Sequence, residues 1–136
     1  MTFFQDYSKE FASHGGLQIY PDIWPFLPTI FDNSPPSAWP HTKGHSNGPL
    51  VINFKWLNEA DDSFWLQAIE TTTNALRELA LEQGCTTPDA PVYYNLALDQ
   101  TPVSDIYREN LDQLVAFRQQ YDPSNVMNRT GGFRIQ

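Results

Sequence analysis

The prolines of this chain restrict its fold more than any other sequence feature, because they number eleven in 136 residues. Proline lacks the amide hydrogen that helix interiors and central strands require, so it interrupts regular structure where it occurs. Pro21, Pro25 and Pro28 exclude a helix between residues 17 and 31. Residues 32–49 (DNSPPSAWPHTKGHSNGP) read as a Pro/Ser/Gly/Asn loop whose length suggests function or mobility. Much of the chain is therefore loop or short strand.

Three segments alternate with the two-residue period of a β-strand: residues 17–20, 50–56 and 92–97. One set of their side chains is apolar and is expected to pack under helices. This set comprises Leu17, Ile19, Leu50, Ile52, Phe54, Trp56, Val92, Tyr94 and Leu96. The opposite set is neutral to polar and comprises Gln18, Tyr20, Val51, Asn53, Lys55, Tyr93, Asn95 and Ala97.

Apolar residues recur at helical spacing in three further segments. The first is marked by Phe3, Phe4, Tyr7 and Phe11. Aspartate and serine caps at residues 61–63 begin the second helix, and Gly84 ends it. The third begins near Ser104 or Asp105 and ends before Pro123, because the residue preceding a proline avoids helical backbone angles.

The order helix, strand, strand, helix, strand, helix predicts an α+β fold. We expect an antiparallel or mixed sheet of at least three strands, with helices packed on one face. The length suits a single domain over residues 1–136, and 40% hydrophobic residues with 14% aromatics indicate a globular chain.

The charge balance argues against two classes of partner. A net charge of −8 repels nucleic-acid phosphates and anionic lipid headgroups. No apolar run is long enough to span a bilayer, and the N-terminal sequence MTFFQDYSKEF is unlike a signal peptide. A single cysteine, Cys85, suits a reducing compartment, so the sequence predicts a cytoplasmic protein that binds neither nucleic acid nor membrane. Three scattered histidines and one cysteine predict no metal site.

The polar face of the predicted sheet has two interpretations. It is either solvated, as in most sheets covered on one side, or it is the floor of a small-molecule site. Lys55 is either an amine base or a solvated charge at a sheet edge. If the face is a binding site, the 32–49 loop is expected to close over it.

Residues 92–136 contain four motifs in succession: VYYNLALDQ at 92–100, YRENL at 107–111, YDPSNVMN at 121–128 and GGFRI at 131–135. This succession resembles the end of fungal berberine-bridge-type FAD-linked oxidases of the vanillyl-alcohol oxidase superfamily. In that family Y-x-N-Y-A, Y-G-x-E-N-L, Y-D-P-x-x-V-F and G-G-F-K-L follow one another. The resemblance implies that residues 1–91 correspond to the substrate-side sheet domain and residues 92–136 to the C-terminal segment. It also implies that one sheet face lies over flavin and substrate.

The chain departs from that family where the flavin would lie. The family's N-terminal domain, which makes nearly all the contacts to FAD, has no counterpart in this sequence. The family's Asn-Tyr pair is Asn95-Leu96 here, and the aromatic residue after Val126 is replaced by Met127. We therefore expect no cofactor, with FAD bound only if a separate FAD-binding chain completes the protein.

Three functions are compatible with these observations. The first is a flavin-free protein that binds a small secondary metabolite and promotes cyclisation, isomerisation or dehydration in natural-product biosynthesis. The second is the substrate-side half of a split FAD-dependent oxidoreductase, and the third is a non-catalytic binding or interaction module. The surface that an FAD domain would cover predicts a homodimer under the first and third functions.

Ten residues are candidates for the site of the first function. The expected acid–base groups are Tyr20, His41, His45, Tyr93 and Asp99. The expected substrate-binding residues are Gln18, Trp39, Asn53, Lys55 and Asn95. Each has a structural alternative, such as a tyrosine that only packs, a loop histidine, an aspartate that caps a turn or an asparagine that holds a strand end.

Overall fold

The computed structural model describes residues 10–41, 43–44 and 48–135. The chain divides into two compact units, each built from two separate segments. The first unit comprises Met1–Pro25 and Gly48–Thr87, and the second comprises Phe26–Asn47 and Pro88–Gln136. That the whole chain behaves as a single domain stays a prediction. Most of the predicted first helix, including Phe3, Phe4 and Tyr7, lies outside the described residues.

The first unit contains an antiparallel pair of strands, β1 (Gly16–Ile23) and β2 (Leu50–Trp56). The bounds of β2 agree with those predicted from its alternation. β1 continues past Pro21, which pairs with Ile52, because a strand at a sheet edge can lack one amide hydrogen without breaking the ladder. A bulge lies between Gly16 and Gln18.

Helix α1 (Asp62–Glu82) packs on the apolar face of these strands. A short 3-10 turn at Glu59–Asp61 precedes it, and Gly84 follows it with a φ of +67°. Trp65, Ala68 and Thr72 of α1 are buried, and their spacing places them on one side of the helix. The helix bounds agree with those predicted from the caps and the glycine.

Trp65 is the centre of the first unit's core and is fully buried. Its ring centroid lies 6.1 Å from those of both Phe54 and Trp56 on β2, and its indole nitrogen donates a hydrogen bond to the carbonyl of His14 at 2.8 Å. The sheet face predicted to pack under a helix therefore does so through these two residues. Leu17 and Leu50, predicted for the same face, are exposed, because Leu17 lies in the bulge and Leu50 begins its strand.

The predicted third strand is wrong: residues 92–97 lie in the second unit as an extended segment followed by a 3-10 turn, Tyr94–Leu96. The sheet within the described part of the chain has two strands. Val92 cannot pair with a neighbouring strand, because its backbone amide and carbonyl both have hydrogen-bond partners elsewhere. Its amide donates to the carbonyl of Asp105 at 2.8 Å, and its carbonyl accepts from the indole of Trp39 at 3.0 Å. The α+β class is confirmed with this smaller sheet.

The predicted last helix is divided into α2 (Val103–Tyr107) and α3 (Leu111–Tyr121), with a 3-10 turn at Arg108–Asn110 between them. Arg108 has a φ of 45° and a ψ of −126°, far from the backbone angles of an α-helix. Its guanidinium donates to the carbonyl of Ala90 at 2.9 Å and to the carboxylate of Asp105 at 3.2 Å. Ile106 of α2 is fully buried. None of the helices in the described ranges has the length and apolar character that crossing a bilayer requires.

Candidate functional site

The predicted site residues of the two strands share one face in the first unit. Gln18 pairs with Lys55 and Tyr20 pairs with Asn53, so the four side chains project to the same side of the sheet. The Lys55 ammonium lies 5.7 Å from the centroid of the Tyr20 ring, within the range of a cation–π contact. This face offers hydrogen-bonding and cationic groups on rigid strands.

A second group of predicted site residues meets in the second unit, where the 32–49 loop contacts the segment after Pro91. The rings of Trp39 and Tyr93 are 5.7 Å apart in an edge-to-face arrangement. Phe31 lies 5.8 Å from Trp39 and 5.0 Å from His41. We call Phe31, Trp39, His41 and Tyr93 the aromatic cluster. Each ring of the cluster is half-buried, so the cluster presents an apolar surface with polar atoms at its border.

Hydrogen bonds to the backbone hold the loop in this position. The Trp39 indole donates to the Val92 carbonyl at 3.0 Å, which joins the loop to the segment it covers. The Ser37 hydroxyl donates to the Trp39 carbonyl at 2.6 Å. The Asn110 side-chain amide donates to the carbonyls of Ser37 and Ala38 at 3.1 and 3.2 Å. Asn110 is a positioning residue that the sequence reasoning missed, although it belongs to the YRENL motif.

Hydrogen bonds engage the polar atoms of Tyr93 and His41 at the border of the cluster. The Asn95 amide donates to the Tyr93 phenol oxygen at 2.8 Å, so the phenol retains its own hydrogen for another acceptor. His41 Nδ1 lies 3.3 Å from the Trp39 carbonyl and 3.4 Å from the Ser37 hydroxyl. With its hydrogen on Nδ1 the ring donates to that carbonyl, and in this tautomer Nε2 carries no hydrogen.

Asp99 and His45 are the two remaining predicted residues. Asp99 lies in an exposed turn in which the Thr101 amide donates to the Leu98 carbonyl at 2.9 Å, and His45 lies outside the described residues. The floor of three strands that was expected for the site does not form, because residues 92–97 are not a strand. Eight of the ten candidates therefore fall into two groups, one in each unit, and the functional roles of all ten stay predictions.

A histidine–aspartate pair in the first unit was not predicted. His14 Nδ1 lies 3.0 Å from the Asp61 carboxylate, and the imidazole stacks on Phe64 with a centroid separation of 3.8 Å. The side chains are 36% and 19% exposed, respectively. The pair joins the segment before β1 to the start of α1, and the two residues are 47 positions apart in sequence, so no local pattern pointed to it.

A cavity of about 150 Å³ lies near the C-terminal end of α3, in the second unit. It is lined by Arg118, Asp122, Asn125, Met127, Asn128, Phe133 and Ile135. FAD does not fit this cavity, because sites for cofactor-sized ligands occupy roughly 300–1,000 Å³. Among the described residues, no group of three or more His, Cys, Asp or Glu side chains is placed to hold a metal ion.

Comparison with known proteins finds one informative similarity. The chain is 31% identical over 94 residues to the FAD-dependent monooxygenase tpcD of Cochliobolus heterostrophus. The alignment covers 65% of this chain and 18% of that protein. No family model and no solved structure matches the chain. The similarity supports a distant relation to FAD-linked oxidoreductases, while membership of the berberine-bridge family stays an expectation.

Proposed function

We propose that this chain binds a small, mostly apolar secondary metabolite against the aromatic cluster and promotes a non-redox step such as cyclisation, isomerisation or dehydration. One observation carries the proposal: an acid and a base border the same apolar surface. The Tyr93 ring, whose phenol oxygen accepts from Asn95, contacts Trp39, and the His41 imidazole contacts Phe31, which also contacts Trp39. Such groups transfer protons without a redox cofactor.

The proposed mechanism follows from these positions. Trp39 and Phe31 bind the apolar rings of the metabolite and exclude water from one side of it. His41 Nε2 removes a proton from a carbon next to a carbonyl, and the Tyr93 phenol donates its proton to that carbonyl oxygen, which gives an enol. The Asn95 amide stabilises the tyrosinate that remains. When the substrate is a β,γ-unsaturated ketone, protonated His41 gives its proton to the γ-carbon and the enol hydroxyl returns its own proton to the Tyr93 phenolate, which completes the isomerisation and restores both residues.

The test measures, by proton NMR, the rate at which enolisable hydrogens of a panel of aromatic ketones exchange for deuterium in D₂O. We expect the protein to accelerate exchange for at least one ketone, and Tyr93→Phe to lower that acceleration by about 10²-fold or more, the usual contribution of a positioned acid or base. Tyr94→Phe is the matched control, because Tyr94 is the exposed neighbour of Tyr93 and its ring lies 5.4 Å away. Equal losses in both variants, or no acceleration by the unaltered protein, would contradict the proposal.

The second candidate is the substrate-side part of an FAD-dependent oxidoreductase. The similarity to tpcD favours it, because that protein is an FAD-dependent monooxygenase. In this case FAD would be held by a separate FAD-binding chain. Both candidates predict that the purified chain alone, incubated with FAD and passed through gel filtration, emerges colourless. They differ in whether the chain acts alone: the first predicts hydrogen exchange by the isolated chain, and the second predicts that the chain co-purifies from its source with a partner that carries flavin absorbance.

A further inference from the structure

The hydrogen-bond pattern of the sheet shows which backbone groups point away from the strand pair. The Trp24 amide donates to the Pro49 carbonyl at 3.2 Å, so these two residues form a hydrogen-bonded pair. Along an antiparallel ladder, such pairs alternate with pairs whose amides and carbonyls point outward. Three pairs are therefore of the outward kind: Ile23–Leu50, Pro21–Ile52 and Ile19–Phe54.

The outer edge of β1 cannot accept a further strand as readily as the outer edge of β2. Pro21 has no amide hydrogen at an outward position of β1, and a proline there is a common device against edge pairing. The edge of β2 presents the amides and carbonyls of Leu50, Ile52 and Phe54. Within the described part of the chain, none of these three residues makes a backbone hydrogen bond to a residue outside the sheet.

The charged side chain of β2 does not protect this edge. Lysines on edge strands commonly prevent pairing with another chain. Lys55 is the one charged residue of β2, but its ammonium lies 5.7 Å from the centroid of the Tyr20 ring on β1. The side chain therefore extends over the neighbouring strand and away from the β2 edge. Because β2 has no acidic residue, the net charge of −8 is not concentrated there.

Helix α1 packs against one end of the apolar sheet face. Trp65 contacts Phe54 and Trp56, which lie in the second half of β2. At the opposite end Leu50 pairs with Ile23, and these side chains are 51% and 68% exposed. Paired residues of a sheet point to the same face. The apolar face therefore continues past the part that contacts Trp65.

We infer that the β2 edge pairs with the β2 edge of a second copy of this chain, antiparallel and with a two-fold axis at Ile52. In this register Ile52 faces its own copy, and Leu50 faces Phe54 of the second copy. The two sheets become one sheet of four strands, with α1 of both copies on the same side. The exposed Leu50 and Ile23 of one copy then lie beside the Phe54 that packs against the helix of the other, which buries apolar surface.

The difference between the two edges explains why the occupant is one further copy. Adding β2 of one copy to β1 of the next would repeat without end, and Pro21 opposes that contact. Pairing β2 with itself occupies the available edge of both copies, so the assembly closes at two. The register brings no like charges together, because Lys55 faces Pro49 of the second copy. The inference is independent of the proposed function, since none of these residues belongs to the aromatic cluster.

Sedimentation velocity over a range of concentrations tests the surface. Leu50→Lys should weaken dimerisation by about ten-fold or more, because the contact would bury the ammonium beside Phe54 of the second copy. Leu17→Lys is the matched control, since Leu17 is 56% exposed against 51% for Leu50 and lies at the far end of β1 from Ile23. Circular dichroism should show that both variants fold. A monomeric unaltered chain at high concentration, or equal dimerisation of the two variants, overturns the inference.

A disulfide between copies tests the register. Val51 faces Asn53 of the second copy in a pair without ladder hydrogen bonds, whose Cα atoms lie about 4.5 Å apart, within the range of a disulfide. Cys85→Ser is included throughout because the Cys85 thiol is exposed. A mixture of Val51→Cys and Asn53→Cys chains should give several-fold more oxidised dimer than either variant alone, since neither residue faces its own copy. Equal cross-linking in the mixture and in the separate variants overturns the two-fold register and the inference with it.

Discussion

Asp122 does more for the second unit than the Tyr-Asp-Pro sequence alone suggests. The sequence predicts only that the helix ends before Pro123, and α3 does end at Tyr121. In addition, the Asp122 carboxylate accepts from two successive amides of the following turn, those of Val126 and Met127, at 2.7 and 2.9 Å. Asp122 therefore follows the last residue of one helix, and its side chain organises the next turn.

Replacing Asp122 with alanine should destabilise the protein by about 0.5–2 kcal/mol, as for the loss of a helix cap, because two amides of an exposed turn lose a charged acceptor. The measurement is the free energy of unfolding in urea. Asp99→Ala is the control, since Asp99 lies in an exposed turn and is expected to change stability by less than about 0.5 kcal/mol. Equal effects of the two substitutions would show that the carboxylate bonds contribute no stability.

Because neighbouring residues of β2 lie on opposite faces, their substitution by alanine should affect stability differently. Phe54 contacts Trp65 and is half-buried, so Phe54→Ala should cost about 2–3 kcal/mol, less than the 3–5 kcal/mol typical of a fully buried phenylalanine. Asn53 points to the other side of the strand, and Asn53→Ala should leave the melting temperature nearly unchanged. A larger loss for Asn53→Ala than for Phe54→Ala would reverse the assignment of the faces.

At the scale of elements, the interruption between α2 and α3 depends on one backbone conformation. Arg108 has a φ of 45° and a ψ of −126°, a region that side chains other than glycine rarely adopt. Its guanidinium bonds to Ala90 and Asp105 hold it there. The guanidinium hydrogen bonds therefore stabilise this conformation, while the steric strain of its φ and ψ angles destabilises it.

A pair of substitutions separates these two effects. Arg108→Ala and Arg108→Gly both remove the guanidinium bonds, but only glycine accepts the backbone conformation without strain. The glycine variant should therefore be more stable than the alanine variant by about 1–2 kcal/mol in chemical unfolding. Equal stabilities would mean that the chain relaxes to an ordinary conformation once the arginine is absent.

The elements that were predicted correctly are those whose bounds depend on neighbouring residues. The alternation of residues 50–56 and the caps of α1 are local signals, and both elements have the predicted bounds. Residues 92–97 also alternate, but their backbone bonds to Trp39 and Asp105 are contacts between distant parts of the chain, which alternation does not report. The same reason explains why one long helix was expected where two occur.

The candidate site was also predicted in part: its strand positions were predicted correctly, and its contacts between distant residues were not. The parity of strand positions correctly placed Gln18, Tyr20, Asn53 and Lys55 on one face. Trp39 and Tyr93 were both named as site residues, but their contact depends on how the loop folds back onto the chain. The His14–Asp61 pair joins residues 47 positions apart and had no signal in the sequence.

At the scale of the whole molecule, large apolar side chains remain exposed in both units. Ile23 and Leu57 in the first unit are each 68% exposed, and Leu27 and Met127 in the second are 71% and 69% exposed. Exposed apolar surface of this kind commonly contacts a partner. These exposures motivate the homodimer that the sequence predicts.

We expect light scattering to show a homodimer that buries either the sheet or the C-terminal tail. Ile23→Lys tests the sheet and Val126→Lys tests the tail, and one of them should shift the equilibrium toward the monomer because a lysine is costly to bury without a partner. A monomer at high concentration of the unaltered protein would rule out the dimer. Unchanged dimers in both variants would exclude these two surfaces.

The division of each unit into two segments has a consequence for synthesis on the ribosome. The chain passes from one unit to the other three times, so the first unit is complete at Thr87 while the second still lacks Pro88–Gln136. The Trp39 indole bonds to a carbonyl 53 residues later, so at roughly 5–20 residues per second it waits about 3–10 s for its partner. Throughout that interval Phe31 and Trp39 have no partner from the later segment, and chaperones can bind them. Translation speed between residues 39 and 92 therefore determines how long the nascent loop is open to misassociation.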